Sequence, residues 1–265
     1  MVRVRPRGQT DGRVKSRRID GPRPRRLPAA TGRTAGSSTV SVSRKRGAPS
    51  FLPIFTTRGY AVLLVDAPLG PEGRPGQPLD ELRDAVLPQV YRAAELGYID
   101  VTRVALAGQS YGAYCTAGLV SATNLFRAAV AVGGSYDLGG KYGILRPGDN
   151  AEVEVIESGQ KRMGHPPWSD LKRYLDNSPY YRVDRIHTPL LLIHGREDRA
   201  CPATQSEMMF VGLRRLGRAA QLAVYEGEGH VITDWDPGHA ADAADRVLTF
   251  LRRHTGRGGG APTGR

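Results

Sequence analysis

A serine held between two glycines, directly after an apolar run, is the feature that most constrains this chain. The run VALA at 104–107 predicts a buried strand, and the small-residue segment 111–124 predicts a helix. A sharp turn from strand to helix strains the residue at its corner, and glycines such as Gly108 and Gly112 let the two elements pack closely. The pattern therefore predicts that the Ser110 hydroxyl is presented above a sheet as a nucleophile.

The residue after this serine has a predicted role through its backbone. The N–H group of Tyr111 opens the new helix, where it can stabilise an oxyanion. The alternative is a glycine-rich turn with an incidental serine, since G-x-S-x-G also arises by chance. The strand before the motif and the helix after it favour the nucleophile.

The rest of the chain alternates between strand and helix patterns. Strands are predicted at 59–68, 103–109, 126–135, 189–195 and 221–228, and further helices at 79–96, 203–216 and 238–254. This order predicts an α/β fold, a mostly parallel sheet with helices on both faces. Pro88 is expected to kink its helix or to mark a restart. Residues 136–187 do not follow this alternation and are predicted to pass over the end of the sheet that carries the active site.

Partners for the serine are expected at the carboxyl ends of neighbouring strands, where open α/β sheets place their chemistry. The loop GREDRACP offers Glu197 and Asp198, and the loop GEGHVITDW offers His230. The chain order of serine, acid and histidine is the one expected of α/β-hydrolases. The other histidines are predicted to be structural or solvated: His165, His187, His194, His239 and His254.

The positive charge of the chain is confined to its first 50 residues. The formal net charge is +12, and residues 1–50 alone carry 14 basic and 2 acidic groups, so 14 − 2 = 12 and the remainder is neutral. Rich in Arg, Pro, Gly and Ser, this segment is predicted to be a disordered tail separable from the core. The alternatives are an arm that contacts phosphates, with weak salt-sensitive binding at most, or a shifted reading frame of GC-rich DNA.

Three domains of the chain are therefore expected: a basic tail at 1–50, a catalytic domain at 51–254 and a flexible end at 255–265. The sequence has no secretion signal and no apolar run long enough to span a membrane. Two cysteines, Cys115 and Cys201, make no disulfide framework, and Cys115 is expected to be a small buried side chain. We expect a cytoplasmic protein with no cofactor or metal; the sequence does not indicate an oligomeric state.

Taken together, these segments resemble the catalytic domain of the prolyl oligopeptidase family of serine peptidases. The similarity covers about residues 51–253, and PLLLIHGREDRACPATQSEMM followed by YEGEGH is specific when paired with GQSYG. The resemblance implies the α/β-hydrolase fold and a triad in which Asp198, rather than Glu197, is the acid. It also implies acyl transfer, with Ser110 attacking a peptide carbonyl and His230 as the general base.

The sequence departs from the family in two places. Members usually carry a β-propeller before this domain, for which the chain has no room. They also supply the first strands and a second oxyanion donor from a segment with a His-Gly-Gly or Tyr-Gly-Gly motif. That segment is expected before residue 51, where this chain has the basic tail, so the N-terminal strands are expected to be missing. STVSVS at 38–43 has strand-like alternation but no such motif.

Three functions are consistent with the sequence. The first is a serine peptidase acting on short peptides. The second is a carboxylesterase that uses the same triad. The third is a truncated, inactive hydrolase fragment with a basic tail. No specific nucleic-acid partner is expected, and no membrane partner.

Overall fold

The computed structural model describes residues 2–3, 38–40, 52–67, 77–145 and 151–256. The strands are β1 Val2–Arg3, β2 Ser38–Val40, β3 Tyr60–Val62, β4 Val65–Asp66, β5 Val104–Gln109, β6 Ala128–Val132, β7 Leu190–Gly195 and β8 Ala220–Tyr225. The α-helices are α1 Leu52–Thr56, α2 Pro78–Glu95, α3 Tyr111–Ala122, α4 Leu138–Tyr142, α5 Val153–Glu157, α6 Leu171–Asp176, α7 Thr204–Arg215 and α8 Pro237–Thr255.

Six strands form one parallel sheet in the order β3-β2-β5-β6-β7-β8, and β1 pairs with β4 in a separate parallel pair. The central strands are continuous apolar runs because helices cover both of their faces. On β5, Val104 and Leu106 belong to a buried cluster that also contains residues of helices α2, α3 and α7, whereas Ala105 and Ala107 belong to a second cluster that contains residues of α1 and α8. The predicted α/β-hydrolase architecture is confirmed.

The sheet order decides where the loops meet. β5, β6, β7 and β8 are adjacent and parallel, so their carboxyl ends lie side by side at one edge of the sheet. The segments that leave these four ends carry Ser110, Gly133, Asp198 and His230. The fold therefore gathers residues from distant parts of the sequence into one place.

The N-terminal part differs from the sequence-based expectation. Ser38–Val40, assigned to the tail, forms a strand of the main sheet between β3 and β5. Thr39 and Val40 are β-branched residues, which favour an extended strand. Val2–Arg3 is also a strand, and the remainder of the predicted tail lies outside the described residues.

Three further features concern local structure. The strand predicted at 59–68 is two short strands, β3 and β4. Helix α2 continues through Pro88 without ending there. The segment at 136–187 contains the short helices α4, α5 and α6.

The C-terminal helix α8 ends at Thr255 and is capped by Gly256, whose left-handed backbone (φ 74°) favours glycine. The rest of the predicted C-terminal tail lies outside the described residues. No described helix is both long and apolar enough to cross a bilayer.

Candidate active site

The corner between β5 and α3 holds Ser110 in a strained conformation. Its φ of 57° and ψ of −119° lie where residues other than glycine rarely occur, at a cost of about 1–3 kcal/mol. The Ser110 N–H donates to the carbonyl of Val132 at 2.8 Å, which ties the corner to β6. A Cβ atom on Gly108 would lie 2.1 Å from the carbonyl oxygen of Gly112, so the close approach requires glycine there.

Tyr111 begins helix α3, and its backbone N–H belongs to the first turn. The first N–H groups of a helix have no partner within the helix, and the helix dipole favours negative charge beside them. This N–H can therefore donate to an oxyanion formed next to Ser110. Burial raises the pKa of the Tyr111 phenol well above its ordinary value, so the side chain stays neutral.

His230 lies beside the serine. Its Nε2 is 2.8 Å from Ser110 Oγ, and its Nδ1 is 2.7 Å from Asp198 Oδ2. The loop that carries His230 is held at two consecutive backbone carbonyls: Gln109 Nε2 donates to the His230 carbonyl at 3.1 Å, and Trp235 Nε1 donates to the Gly229 carbonyl at 2.9 Å. The structure thus brings together the three side chains that the sequence singled out.

Asp198 is buried, with all of its oxygens engaged. Oδ2 faces His230, and Oδ1 accepts the backbone N–H groups of Ala200 and Cys201 at 2.9 and 2.7 Å. Burial alone would raise the pKa of this carboxyl. Hydrogen bonds from His194, His230 and the Cys201 N–H outweigh burial and hold the pKa well below its ordinary range. Asp198 is therefore an ionised acceptor at neutral pH.

The structure distinguishes the two acids of the loop by exposure. Glu197 is exposed, whereas Asp198 is 5% exposed and contacts His230. Among the histidines that the sequence set aside, His165 and His187 are exposed, and His239 bonds Glu228 at 2.6 Å.

His194 differs from the other histidines. It is fully buried, and its Nε2 lies 3.1 Å from Asp198 Oδ2. The sequence reasoning missed this contact. The sequence feature that could have indicated this contact is HGRED, in which a histidine near the strand end stands four residues before the acid.

A group of buried cations lies beneath the start of α3. Lys161 Nζ is 3.5 Å from the ring centroid of Tyr114 and 4.7 Å from that of Tyr111. Lys141 Nζ lies 3.4 Å from Glu152 Oε2. Burial, together with the charge of Lys141, lowers the pKa of Lys161 to about 7. The charge of Lys161 beside the Tyr111 and Tyr114 rings therefore varies near neutral pH.

Both cysteines are buried free thiols, as expected for Cys115. Burial raises the pKa of Cys115 to about 12, so it is unsuited to act as a nucleophile. Cys201 lies within the Asp198 loop, with its Sγ 3.2 Å from Lys141 Nζ. Within the described ranges, no group of three or more His, Cys, Asp or Glu side chains is arranged to hold a metal ion.

The second oxyanion donor was expected from a segment before residue 51. Residues 41–51, which follow β2, lie outside the described residues. The donor that the described structure offers is the Tyr111 N–H.

Comparison with known proteins gives a family match over most of the catalytic domain. The sequence model of the prolyl oligopeptidase family matches residues 80–258. The chain is 29% identical over 174 residues to the uncharacterized peptidase YuxL of Bacillus subtilis, covering 66% of this chain and 25% of that protein. It is 30% identical over 168 residues to a probable chloroplastic glutamyl endopeptidase of Arabidopsis thaliana, covering 58% of this chain and 16% of that protein. The chain thus spans about a quarter or less of the length of these relatives.

Solved structures show the same fold. An acylaminoacyl peptidase of Pyrococcus horikoshii superposes with a TM-score of 0.69 at 21% identity, covering 83% of this chain and 38% of that one. A puromycin-hydrolyzing peptidase of Mycobacterium tuberculosis superposes with a TM-score of 0.67 at 22% identity, covering 87% and 36%. At these low sequence identities, the superpositions show a shared fold and no more.

Proposed function

The chain belongs to the prolyl oligopeptidase family, and from this premise we propose that it is a serine peptidase that hydrolyses peptide bonds through an acyl-enzyme. One observation carries the proposal: the hydrogen-bonded series from Ser110 Oγ through both ring nitrogens of His230 to Asp198. The relatives named as peptidases support a peptide substrate.

The state of the imidazole follows from its neighbours. Ionised Asp198 can only accept hydrogen bonds, so Nδ1 of His230 carries a proton and donates a hydrogen bond to Oδ2. In neutral His230 the other nitrogen, Nε2, is then an acceptor and faces the Ser110 hydroxyl at 2.8 Å. This tautomer is the one that a general base for the serine requires.

The proposed reaction has two halves. Ser110 Oγ attacks the peptide carbonyl as its proton passes to His230 Nε2, and the Tyr111 N–H donates to the oxyanion. The imidazolium then gives this proton to the leaving amine as the C–N bond breaks, which leaves Ser110 acylated. Water, deprotonated by His230, attacks the ester, and the collapse of the second intermediate releases the acid and restores the Ser110 hydroxyl.

Two narrower proposals accompany this one. The substrates are short peptides, and the location is the cytoplasm, a reducing compartment in which the two free thiols would persist.

The test uses the full chain and a fluorophosphonate probe, which phosphonylates an activated serine with loss of fluoride. We expect labelling of the wild-type protein and hydrolysis of a peptide amide, with both lost in Ser110→Ala. The matched control is Ser121→Ala, which removes a buried serine of the same helix that bonds only its own turn. We expect this variant to label and hydrolyse as the wild type does.

The outcomes separate the three functions. Hydrolysis of a simple ester without any peptide amide would indicate a carboxylesterase. Absence of labelling in the wild-type protein would indicate an inactive fragment. Activity in Ser110→Ala within about tenfold of wild type would exclude Ser110 as the nucleophile.

A further inference from the structure

His194 is the penultimate residue of the buried strand β7 and contacts the candidate acid. Its Nε2 lies 3.1 Å from Asp198 Oδ2 and 2.6 Å from the carbonyl oxygen of Cys201. Its Nδ1 lies 2.7 Å from the hydroxyl of Ser206, in the first turn of α7. The whole ring is buried.

The protonation of this ring follows from its contacts. Both groups that face Nε2, a carboxylate and a backbone carbonyl, can only accept hydrogen bonds, so Nε2 carries a proton. In the neutral ring Nδ1 is then an acceptor, and the Ser206 hydroxyl, which can rotate to donate, satisfies it. His194 is thus the opposite tautomer to His230, whose proton lies on Nδ1.

The carboxylate of Asp198 has four donors around it. Two backbone N–H groups hold Oδ1, and the two histidines converge on Oδ2. Without His194, His230 would be the one side chain that bonds Oδ2 and resists rotation of the carboxylate about its Cβ–Cγ bond. His230 is, however, the ring that Asp198 has to align. Because His194 is anchored to α7 through Ser206, its hold on Oδ2 is independent of the His230 loop.

From this geometry we infer that His194 is a positioning residue, whose Nε2–H, shared between the Cys201 carbonyl at 2.6 Å and Asp198 Oδ2 at 3.1 Å, holds Oδ2 in the orientation that receives the His230 Nδ1–H. The inference rests on the proposed peptidase function for its effect on rate. The protonation of His194, in contrast, follows from its contacts alone and can be measured without any substrate.

The first measurement uses the wild-type protein with ¹⁵N-labelled histidine. We expect the NMR signals of His194 to show a proton on Nε2 and none on Nδ1, with His194→Gln used to assign them. A proton on Nδ1 alone would overturn the inference, because Nε2 would then have nothing to donate to Asp198. This result is independent of whether the protein hydrolyses peptides.

The second measurement compares two replacements of similar size. His194→Gln keeps a side-chain N–H donor, whereas His194→Met has none. We expect Met to lower kcat by about tenfold to a hundredfold with KM changed less than about twofold, because a hydrogen bond to a charged group is lost, and Gln to stay within about threefold of wild type. His187→Met, which removes an exposed histidine before the same strand, is the matched control.

The pH dependence separates positioning from packing. With one donor fewer, Asp198 accepts more strongly from His230 and stabilises its cation, so we expect the acidic limb of kcat/KM to move to higher pH in His194→Met and to stay in place in His194→Gln. Equal rates in Gln and Met with an unmoved acidic limb would overturn the inference. If Met does not fold, a large rate loss in folded His194→Gln would overturn it as well. Absence of fluorophosphonate labelling in the wild-type protein would instead refute the proposed function.

Discussion

The side-chain amide of Gln109 donates a hydrogen bond to the backbone carbonyl of His230 at 3.1 Å. The residue that precedes the candidate nucleophile thus holds the loop of the candidate base, although 121 positions separate the two in the sequence. The distance between Ser110 and His230 is therefore set from both sides: by the strained corner at Ser110 and by this bond.

We expect Gln109→Met, which keeps the length of the side chain but loses the donor, to lower kcat/KM by up to about tenfold, the value of one neutral hydrogen bond. Steady-state hydrolysis and fluorophosphonate labelling rates measure the effect. Gln89→Met is the matched control, because the Gln89 amide also donates to a backbone carbonyl, that of Ala85, but within helix α2. Equal effects of the two variants would contradict a role of Gln109 at the site.

The assignment of the acid can be tested with adjacent residues. We expect Asp198→Asn to lower kcat by about 10⁴, because an amide favours the wrong tautomer of His230. Glu197→Gln, at an exposed position, is expected to stay within about threefold of wild type. Kinetics on one peptide amide, with far-UV circular dichroism to verify folding, makes the comparison. A larger loss at Glu197 would show that the loop has been misassigned.

The buried ammonium of Lys161 predicts a pH-dependent stability. Its pKa falls from an ordinary value near 10.5 to about 7 on folding, so between these values the unfolded chain binds the additional proton. Stability therefore falls as the pH is lowered through this window, by at most about 1.4 kcal/mol per pH unit, and does not change further below pH 7 from this cause. We expect Lys161→Met to gain stability relative to wild type as the pH falls from about 10 to 7.

Urea unfolding at several pH values within the window measures this difference. Lys172→Met is the control, because the Lys172 side chain is 82% exposed and pairs with Asp176 at the surface. A difference between Lys161→Met and wild type that is the same at both ends of the window would mean that Lys161 titrates normally.

The place of β2 in the sheet predicts that two N-terminal deletions behave differently. Removal of residues 1–36 keeps Ser38–Val40, whereas removal of residues 1–48 takes away the strand that joins β3 to β5. We expect the longer deletion to lower Tm by at least about 2 °C relative to the shorter one, as the loss of about 1 kcal/mol would in a domain of this size. Equal melting temperatures by calorimetry would show that the sheet does not depend on β2.

The sequence predicted the centre of the fold better than its edge. Strands β5, β6 and β7 are buried on both faces and so appear as unbroken apolar runs in the sequence. Their positions could therefore be predicted. β2 has three residues, too few for any periodicity to be distinctive, and its pairing partners lie elsewhere in the chain. Its place in the sheet depends on tertiary contacts with β3 and β5, which the local sequence does not reveal.

The candidate site shows the same division. Ser110 and His230 follow strand ends within glycine-containing turns, and these local signals sufficed to select them. Asp198 could be separated from Glu197 only by resemblance, because which of two adjacent acids points inward depends on the turn that follows β7. His194 was set aside because its strand pattern shows burial but not the group that its ring meets.

The parallel order of the sheet also bears on how the chain folds. No two neighbouring strands of the main sheet are joined by a tight hairpin, so each pairing must close a loop that contains a helix or longer segment. Such a topology folds slowly, since the entropy of loop closure is lost before the strands gain their contacts. During synthesis, Ser110 emerges well before the strand that delivers His230. A ribosome-bound chain that has not yet extended past β8 therefore carries the serine without its candidate base, and the three side chains can come together only after the His230 loop has been synthesised.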